Sequence, residues 1–430
     1  MIAAPYPRSC AGQLRFRPAA RGQCPSGVRV PVKIAVNIEA VGARFGGAEN
    51  YAASLVRWLA SAGHQVHVVC RQADAADLPR GTQVHRLNLS TWPGLGWLRS
   101  YRFARASELL LRQQRFDLII GLVKVWHQHV YIAVGGSHPA SLAYNSQRFR
   151  GPLRRRLWWA TKLLSPKQWV FKWIEHRQFG PGRNPHVIVP AQMVAEHFQM
   201  YHGVPPDKIS IVPWGLDTSR ELADRASARA EFRRELALAD EDVAILFVAR
   251  NYELKGLGPL LEAFAPLARR FPHMRLVACG GKHEAAHWRQ AERLGITDHV
   301  NFLGFVNDIR SCFAGSDVFA FPTFYDPCSL VVLEAMRAGL PIITTRANGA
   351  AELITDGSEG FIIDSPWDTD ALRLRLQLLA TDDAVRLGMG SQARLAAERF
   401  SLVDRAGQLL ACLERAAANS PTSTTARAAA

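Results

Sequence analysis

The sequence predicts an α/β protein built as two doubly wound domains facing a cleft. Two strand–helix series and one register of loops carry that reading. Val32 to Val36 is a short β-branched run of the kind that forms a buried parallel strand. A glycine-containing loop from Gly42 to Gly47 follows, then a helical pattern from Ala48 to Ala62, a break at Gly63, and a second strand from His64 to Cys70. That is a βαβ unit at the start of the folded chain. The same kind of series opens again at Val243 to Ala249, with a helix from Gly258 to Arg270 after its loop. Glycines and charged residues gather in the loops after the strands, where such sheets bind ligands.

Between these openings, Phe116 to Gly121, Val130 to Val134, His186 to Pro190 and Ile209 to Pro213 read as further strands. In the second half, Arg275 to Gly280, Val300 to Phe302, Val318 to Phe321 and Pro341 to Thr345 do the same. Helical stretches near Ile309 to Phe313 and Leu330 to Ala338 alternate with them. The expected organisation is an extension over 1–31, a first domain over 32–217, a second domain over 218–401 and a helix over 402–416 crossing back to the first domain. A frayed tail over 417–430 ends the chain. Within the first domain, 144–183 is a basic, aromatic insert.

A chain of 430 residues holds two cores of ordinary size, and 48% hydrophobic with 21% charged residues excludes a disordered chain. No apolar run reaches the roughly 20 residues that span a bilayer. The net charge is +15, and it is unevenly placed: between Asp117 and Glu196 the single acid is Glu175. Such a block seeks an anionic partner. The seven cysteines are scattered and contain no CxxC pair, so neither a disulfide framework nor a zinc site is expected and a reducing cytoplasm is the simplest setting.

The chemistry-bearing residues cluster in the second half. Arg250 and Lys255 stand five apart in the loop after a strand, a planar fork and a mobile point charge suited to a diphosphate, or to a plain solvated basic turn. Downstream, Asp326 lies in a loop and Glu334 eight residues on, inside the next helix. Ser329, Leu330 and Val331 would offer backbone N–H groups at that helix's start, where free donors and the helix dipole attract phosphate. Glu334 falls among apolar neighbours, so its carboxylate needs a partner, and vicinal ribose hydroxyls would serve. An ordinary helix with one half-buried glutamate is the plainer alternative.

Phe45-Gly46-Gly47-Ala48-Glu49, Arg250-x4-Lys255-Gly256, Asp326-x7-Glu334-Ala335 and Ala338-Gly339-Leu340-Pro341, in this order, resemble glycosyltransferase family four from about Val32 to Leu410. The resemblance implies the GT-B architecture, two Rossmann-like domains facing a cleft, and a retaining, metal-independent hexosyltransferase. Such an enzyme would take no cofactor, and the co-substrate the resemblance implies is a nucleotide sugar, UDP-glucose. Arg250 and Lys255 would grip the diphosphate, Glu334 the ribose and Asp326 the donor sugar, although the family more often has glutamate at that first acidic position. Gly46 and Gly47 would let backbone approach the phosphates or sugar. Backbone near Phe305 and Val306 would face the base, and His138, after Val134-Gly135-Gly136-Ser137, would bind a donor hydroxyl or the acceptor.

Within the family the chain resembles lipopolysaccharide core heptose glucosyltransferases, which implies a glycolipid acceptor and a place on the inner face of the cell membrane. Arg154-Arg155-Arg156-Leu157-Trp158-Trp159 and Trp169-Val170-Phe171-Lys172-Trp173 interleave rings and cations, as suits an anionic membrane surface. The same insert also reads as a helical pair packed on its own domain with its tryptophans inside. No nucleic-acid-binding motif accompanies the charge. Three rivals stand: a glycosyltransferase with a soluble or other glycolipid acceptor, a UDP-sugar epimerase of the same fold, and a non-catalytic nucleic-acid binder.

Overall fold

The computed structural model describes residues 32–89, 96–180, 185–216, 224–281 and 284–418. The expected extension over 1–31, the boundary near Thr218 and the tail beyond 418 lie outside the described residues.

The first sheet is built from β1 (Lys33–Asn37), β3 (Gln65–Cys70), β5 (Gln83–Arg86), β6 (Leu118–Gly121), β7 (Val130–Ile132), β8 (His186–Val189) and β9 (Ile209–Ile211). Their order is β5-β3-β1-β6-β7-β8-β9, all parallel. A two-residue ladder joins β2 (Ala40–Val41) to β4 (Gln72–Ala73) beside it. The helices of this half are α1 (Gly47–Ser61), α2 (Gly96–Gln113), α3 (His138–Ser146), α4 (Pro152–Leu163), α5 (Pro166–Phe179) and α6 (Gln192–His202).

The second sheet holds β10 (Val243–Val248), β11 (Met274–Cys279), β12 (Val300–Gly304), β13 (Val318–Phe321), β14 (Ile342–Thr345) and β15 (Gly360–Ile363) in the parallel order β12-β11-β10-β13-β14-β15. Its helices are α7 (Arg225–Glu235), α8 (Leu257–Arg270), α9 (Glu284–Leu294), α10 (Arg310–Gly315), α11 (Leu330–Arg337), α12 (Thr369–Thr381) and α13 (Asp383–Ala397). Nearly every residue of β10 and all of β13 are buried, so both sheet faces are covered. Phe247, Phe264, Phe319 and Phe321 fill this core, each contributing roughly 2 kcal/mol by leaving water. Strand order reverses between β1 and β6 in one sheet and between β10 and β13 in the other. A doubly wound sheet opens a ligand crevice at that point.

The last helix, α14 (Leu402–Ala418), extends two residues past the expected end. It is led in by a backbone bond from Leu216 N–H to the Phe400 carbonyl at 2.8 Å. Its Ala406 and Leu409 line a small cavity with Tyr51, Leu55 and Trp58 of α1, which places the helix on the first domain.

The insert folds as the pair α4 and α5. No residue of α4 is buried, and only Ile174, Glu175, Gln178 and Phe179 of α5 are. Trp169 is 59% exposed and Trp173 40%, with Trp158 and Trp159 half-buried, so the insert's tryptophans are only partly withdrawn from solvent, Trp173 resting against Trp126 and Tyr101. Among the described residues, no helix is long and apolar enough to cross a membrane.

Candidate active site

Lys255 lies in the turn between β10 and α8, and a tight backbone contact fixes that turn. Gly256 has φ +84°, and a Cβ there would stand 1.9 Å from the Pro322 carbonyl oxygen, so only glycine fits. Pro322 follows β13 directly. The loops leaving β10 and β13, the two strands flanking the switch point, are thereby pressed together.

The contact brings the first pair of expected site residues into bonding distance. Lys255 Nζ donates to Asp326 Oδ2 at 2.6 Å and to the Tyr325 carbonyl at 2.9 Å. Both side chains are largely but not fully buried, which strengthens the pair relative to a surface bridge. Asp326 Oδ1 also accepts from Cys328 N–H at 3.1 Å, fixing the carboxylate's orientation.

Arg250 is exposed and reaches the other way. Its Nη1 donates to the Phe45 carbonyl of the first domain. Gly46 makes room for it: with φ +149°, a Cβ at Gly46 would stand 2.6 Å from Nη1. Gly47 has open space at the corresponding point and starts α1. The two glycines of one motif thus differ, the first required by the contact and the second not.

Glu334 lies on α11 and is half-buried; burial pushes its carboxyl up from 4.5 to about 7. At the head of α11 the Ser329 N–H is already taken by Asn348 Oδ1 at 3.3 Å, which corrects the expectation of three free donors there. Leu330 and Val331 are half-buried at the same end. Phe305, 73% exposed, and Val306 follow β12 at the sheet's far edge, at the same carboxyl side.

His138 opens α3, but its ring turns to the insert. Nε2 donates to Gln168 Oε1 at 2.6 Å, and the ring meets Phe171 edge-on at 5.3 Å. Burial, with Lys124 close by, holds it neutral with a pKa lowered to about 4. Lys124, after β6, pairs with Glu175, the lone acid of the basic block, and burial lowers the lysine's pKa despite that partner. His138 is therefore not drawn into the cluster of Lys255 and Asp326 by any contact of its ring.

Two residues that sequence reasoning missed organise this ground. Asn348, 1% exposed, accepts from Ser329 and Ala350 N–H and donates to Thr344 Oγ1 at 3.0 Å. Backbone bonds on either side of it, Asp326 N–H to Ala347 and Gly349 N–H to Asp326, clip the acidic loop to the end of β14. Glu352 accepts from the N–H groups of Gln192 and Met193 at 2.7 Å each, a carboxylate of the second domain capping α6 of the first. An Asn-Gly pair after a strand signalled a turn at Asn348; Glu352 carried no signal readable without its partner. Among the described residues, no group of three or more His, Cys, Asp or Glu is placed to hold a metal.

Two doubly wound sheets, with a cation–carboxylate pair at the switch point of one and a second cation reaching from it to the other, define a GT-B glycosyltransferase. Residues 45–220 match the model of Glycosyltransferase Family 4 and residues 228–396 that of Glycosyl transferases group 1, and the chain belongs to these glycosyltransferases as a hexosyltransferase. Among its relatives, the lipopolysaccharide glucosyltransferase WaaG of Escherichia coli (strain K12) is 23% identical over 85% of this chain and 95% of its own. The D-inositol 3-phosphate glycosyltransferase of Corynebacterium kroppenstedtii is 31% identical over 55% of this chain and 54% of its own, so that match spans about half of each. The crystal structure of WaaG superposes with a TM-score of 0.74 at 23% identity, covering 90% of this chain and 98% of that one. HepE of Anabaena, in complex with UDP and glucose, gives 0.65 at 20% identity over 89% and 99%. These structural likenesses establish the fold.

Proposed function

We propose that the chain is a retaining hexosyltransferase that moves glucose from UDP-glucose to a membrane-associated saccharide of the lipopolysaccharide-core kind. The observation that carries this reading is the Lys255 ammonium held by Asp326 and the Tyr325 carbonyl at the switch-point crevice, with Arg250 of the same loop reaching across to the Phe45 carbonyl of the first domain. A nucleotide diphosphate departs with growing negative charge. Two fixed cations meet that charge with no metal ion required, and fixed charges in a partly dry site stabilise it more than water would. Leu330 and Val331 N–H groups add to the same field.

In this proposal Asp326 orients the sugar hydroxyls, Glu334 takes the ribose hydroxyls, and Gly46 with Gly47 lets first-domain backbone come close. Phe305 and Val306 border the base. His138, neutral, serves the acceptor side. The acceptor hydroxyl attacks on the face that the diphosphate leaves, and a donor phosphate oxygen takes its proton. The names of the relatives support the acceptor class, and the exposed Arg154, Arg155, Arg156, Trp169 and Trp173 support a peripheral place on the inner face of an anionic membrane. A nucleic-acid binder would leave the ordered Lys255–Asp326 pair without a use.

The inositol phosphate relatives favour a second reading, transfer to a small phosphorylated acceptor. A thermal-shift series across UDP, GDP and ADP sugars tests the donor. The expected result is stabilisation of about 2.7 kcal/mol by UDP-glucose at 100 times its dissociation constant. Product analysis with lipopolysaccharide core in vesicles, against inositol 3-phosphate, then separates the acceptors. Stabilisation by no nucleotide sugar overturns the proposal, and transfer to inositol 3-phosphate alone overturns the acceptor.

A further inference from the structure

We infer that Tyr325 is a positioning residue for transfer: the first domain grips its ring and so sets the geometry of the Lys255–Asp326 pair. The inference rests on the donor site proposed above.

Tyr325 belongs to the second-domain loop after β13, yet its ring is seated in the first domain. It stacks on Tyr144 of α3 with centroids 5.4 Å apart and planes at 27°, and lies 5.7 Å from the ring of His197 of α6. Only 5% of the residue is exposed. The floor of the socket is Gly136, in the loop between β7 and α3. There φ is +66°, and a Cβ would stand 2.4 Å from the Tyr325 hydroxyl oxygen and 2.9 Å from Pro327 Cγ.

The same residue is bonded to the chemistry through its backbone. Its carbonyl accepts from Lys255 Nζ at 2.9 Å and from Thr323 Oγ1 at 3.2 Å, and its chain neighbour Asp326 holds the other side of that ammonium. Side chain and carbonyl of one residue thus join the first domain to the cation. When the domains separate, the ring leaves its socket and the loop keeps its second-domain bonds alone, among them those to Lys255, Ala347, Gly349 and Asn348. Closure over a bound donor returns the ring and fixes Lys255 and Asp326. Such a device couples the fully assembled site to the closed state, in which water is excluded.

The test uses the full-length chain and four readouts: kcat, donor KM, UDP affinity by calorimetry, and hydrogen exchange over residues 325–329. Tyr325→Leu removes the aromatic stack, and Gly136→Ala fills the socket from the other domain. Each is expected to lower kcat by about 100-fold, as a small misplacement of reacting groups does. UDP affinity falls by far less than kcat, and exchange over 325–329 rises in the ligand-free protein. Tyr325→Phe, which keeps the ring contacts, restores kcat. Wild-type kcat in folded Gly136→Ala, or equal losses in the Leu and Phe variants, overturns the inference. If the wild type transfers no sugar and binds no UDP, the donor reading fails; unchanged exchange over 325–329 in Gly136→Ala then shows separately that the socket does not position the loop.

Discussion

The two walls of the cleft are built differently. On the second-domain wall, polar side chains bond to one another and to strand ends. Thr344 Oγ1 donates to the Phe321 carbonyl at 2.9 Å and Thr345 Oγ1 to that of Thr323 at 2.6 Å, and Asn348 and Asp326 fasten to the same strands. The first-domain wall offers backbone to the cleft, the Phe45 carbonyl and Gly46. Its ionisable groups Lys124 and His138 hold the insert instead, through Glu175, Gln168 and Phe171. One wall is assembled on a packed sheet; the other is tied to two surface helices. Donor chemistry, which needs charges fixed beforehand, suits the former. Recognition of a partner at a surface suits the latter.

The largest effect that would break this comparison lies on the fixed wall. Lys255→Ala removes the cation and leaves the Asp326 carboxylate partly buried without its partner. Transfer is expected to fall by about 10²–10³-fold, the range seen when one preorganised charge-stabilising group is removed. Melting confirms that the fold persists. Near-normal turnover in a folded variant would mean that the pair is an ordinary structural bridge.

The next effect belongs to the insert. Arg154, Arg155 and Arg156 are exposed on α4. Near an anionic surface each is worth about 1 kcal/mol, so replacing all three by Ser should weaken vesicle binding on the order of 100-fold. Turnover of a detergent-dispersed acceptor should not change. Co-sedimentation with phosphatidylserine-containing vesicles at two salt concentrations reads the first part. Salt-insensitive binding that survives the triple substitution would move the membrane contact off α4.

Much of the fold could be read locally because its signals are local. Val318–Phe321 forms over the expected residues, and β1, α1, β10 and α8 differ from expectation by a residue or so. Their apolar runs are short and punctuated by glycine. Helices α12 and α13 were not anticipated, although Asp368 and Asp382 cap them through Ala371 N–H and Val385 N–H at 3.0 Å each. In the site, Arg250, Lys255, Asp326 and Glu334 stood out because ionisable residues beside strand ends are conspicuous. What they touch was not legible. Lys255 and Asp326 are 71 residues apart, Glu352 and Gln192 are 160 apart, and the His138 ring is claimed by Gln168 from another helix. Those pairings follow from strand order and from how helices and domains pack, and no local pattern encodes that.

The smallest expected effect concerns Glu334. Burial raises the Glu334 carboxyl to about 7 from an ordinary 4.5, so between those values the folded protein holds a proton that the unfolded chain has lost. Stability therefore falls as pH rises from about 4.5 through about 7, and Glu334→Gln should flatten that decline. Ribose hydroxyls donating to the carboxylate favour its charged form. Binding then expels the proton, and UDP affinity should rise as pH rises through about 7, with proton uptake by the buffer in calorimetry. The Gln variant should bind UDP more weakly at pH 8 and with little dependence on pH. A wild-type affinity that is flat from pH 6 to 8 would place the nucleotide away from Glu334. The carboxyl would then be a buried acid of α11 that the donor never meets.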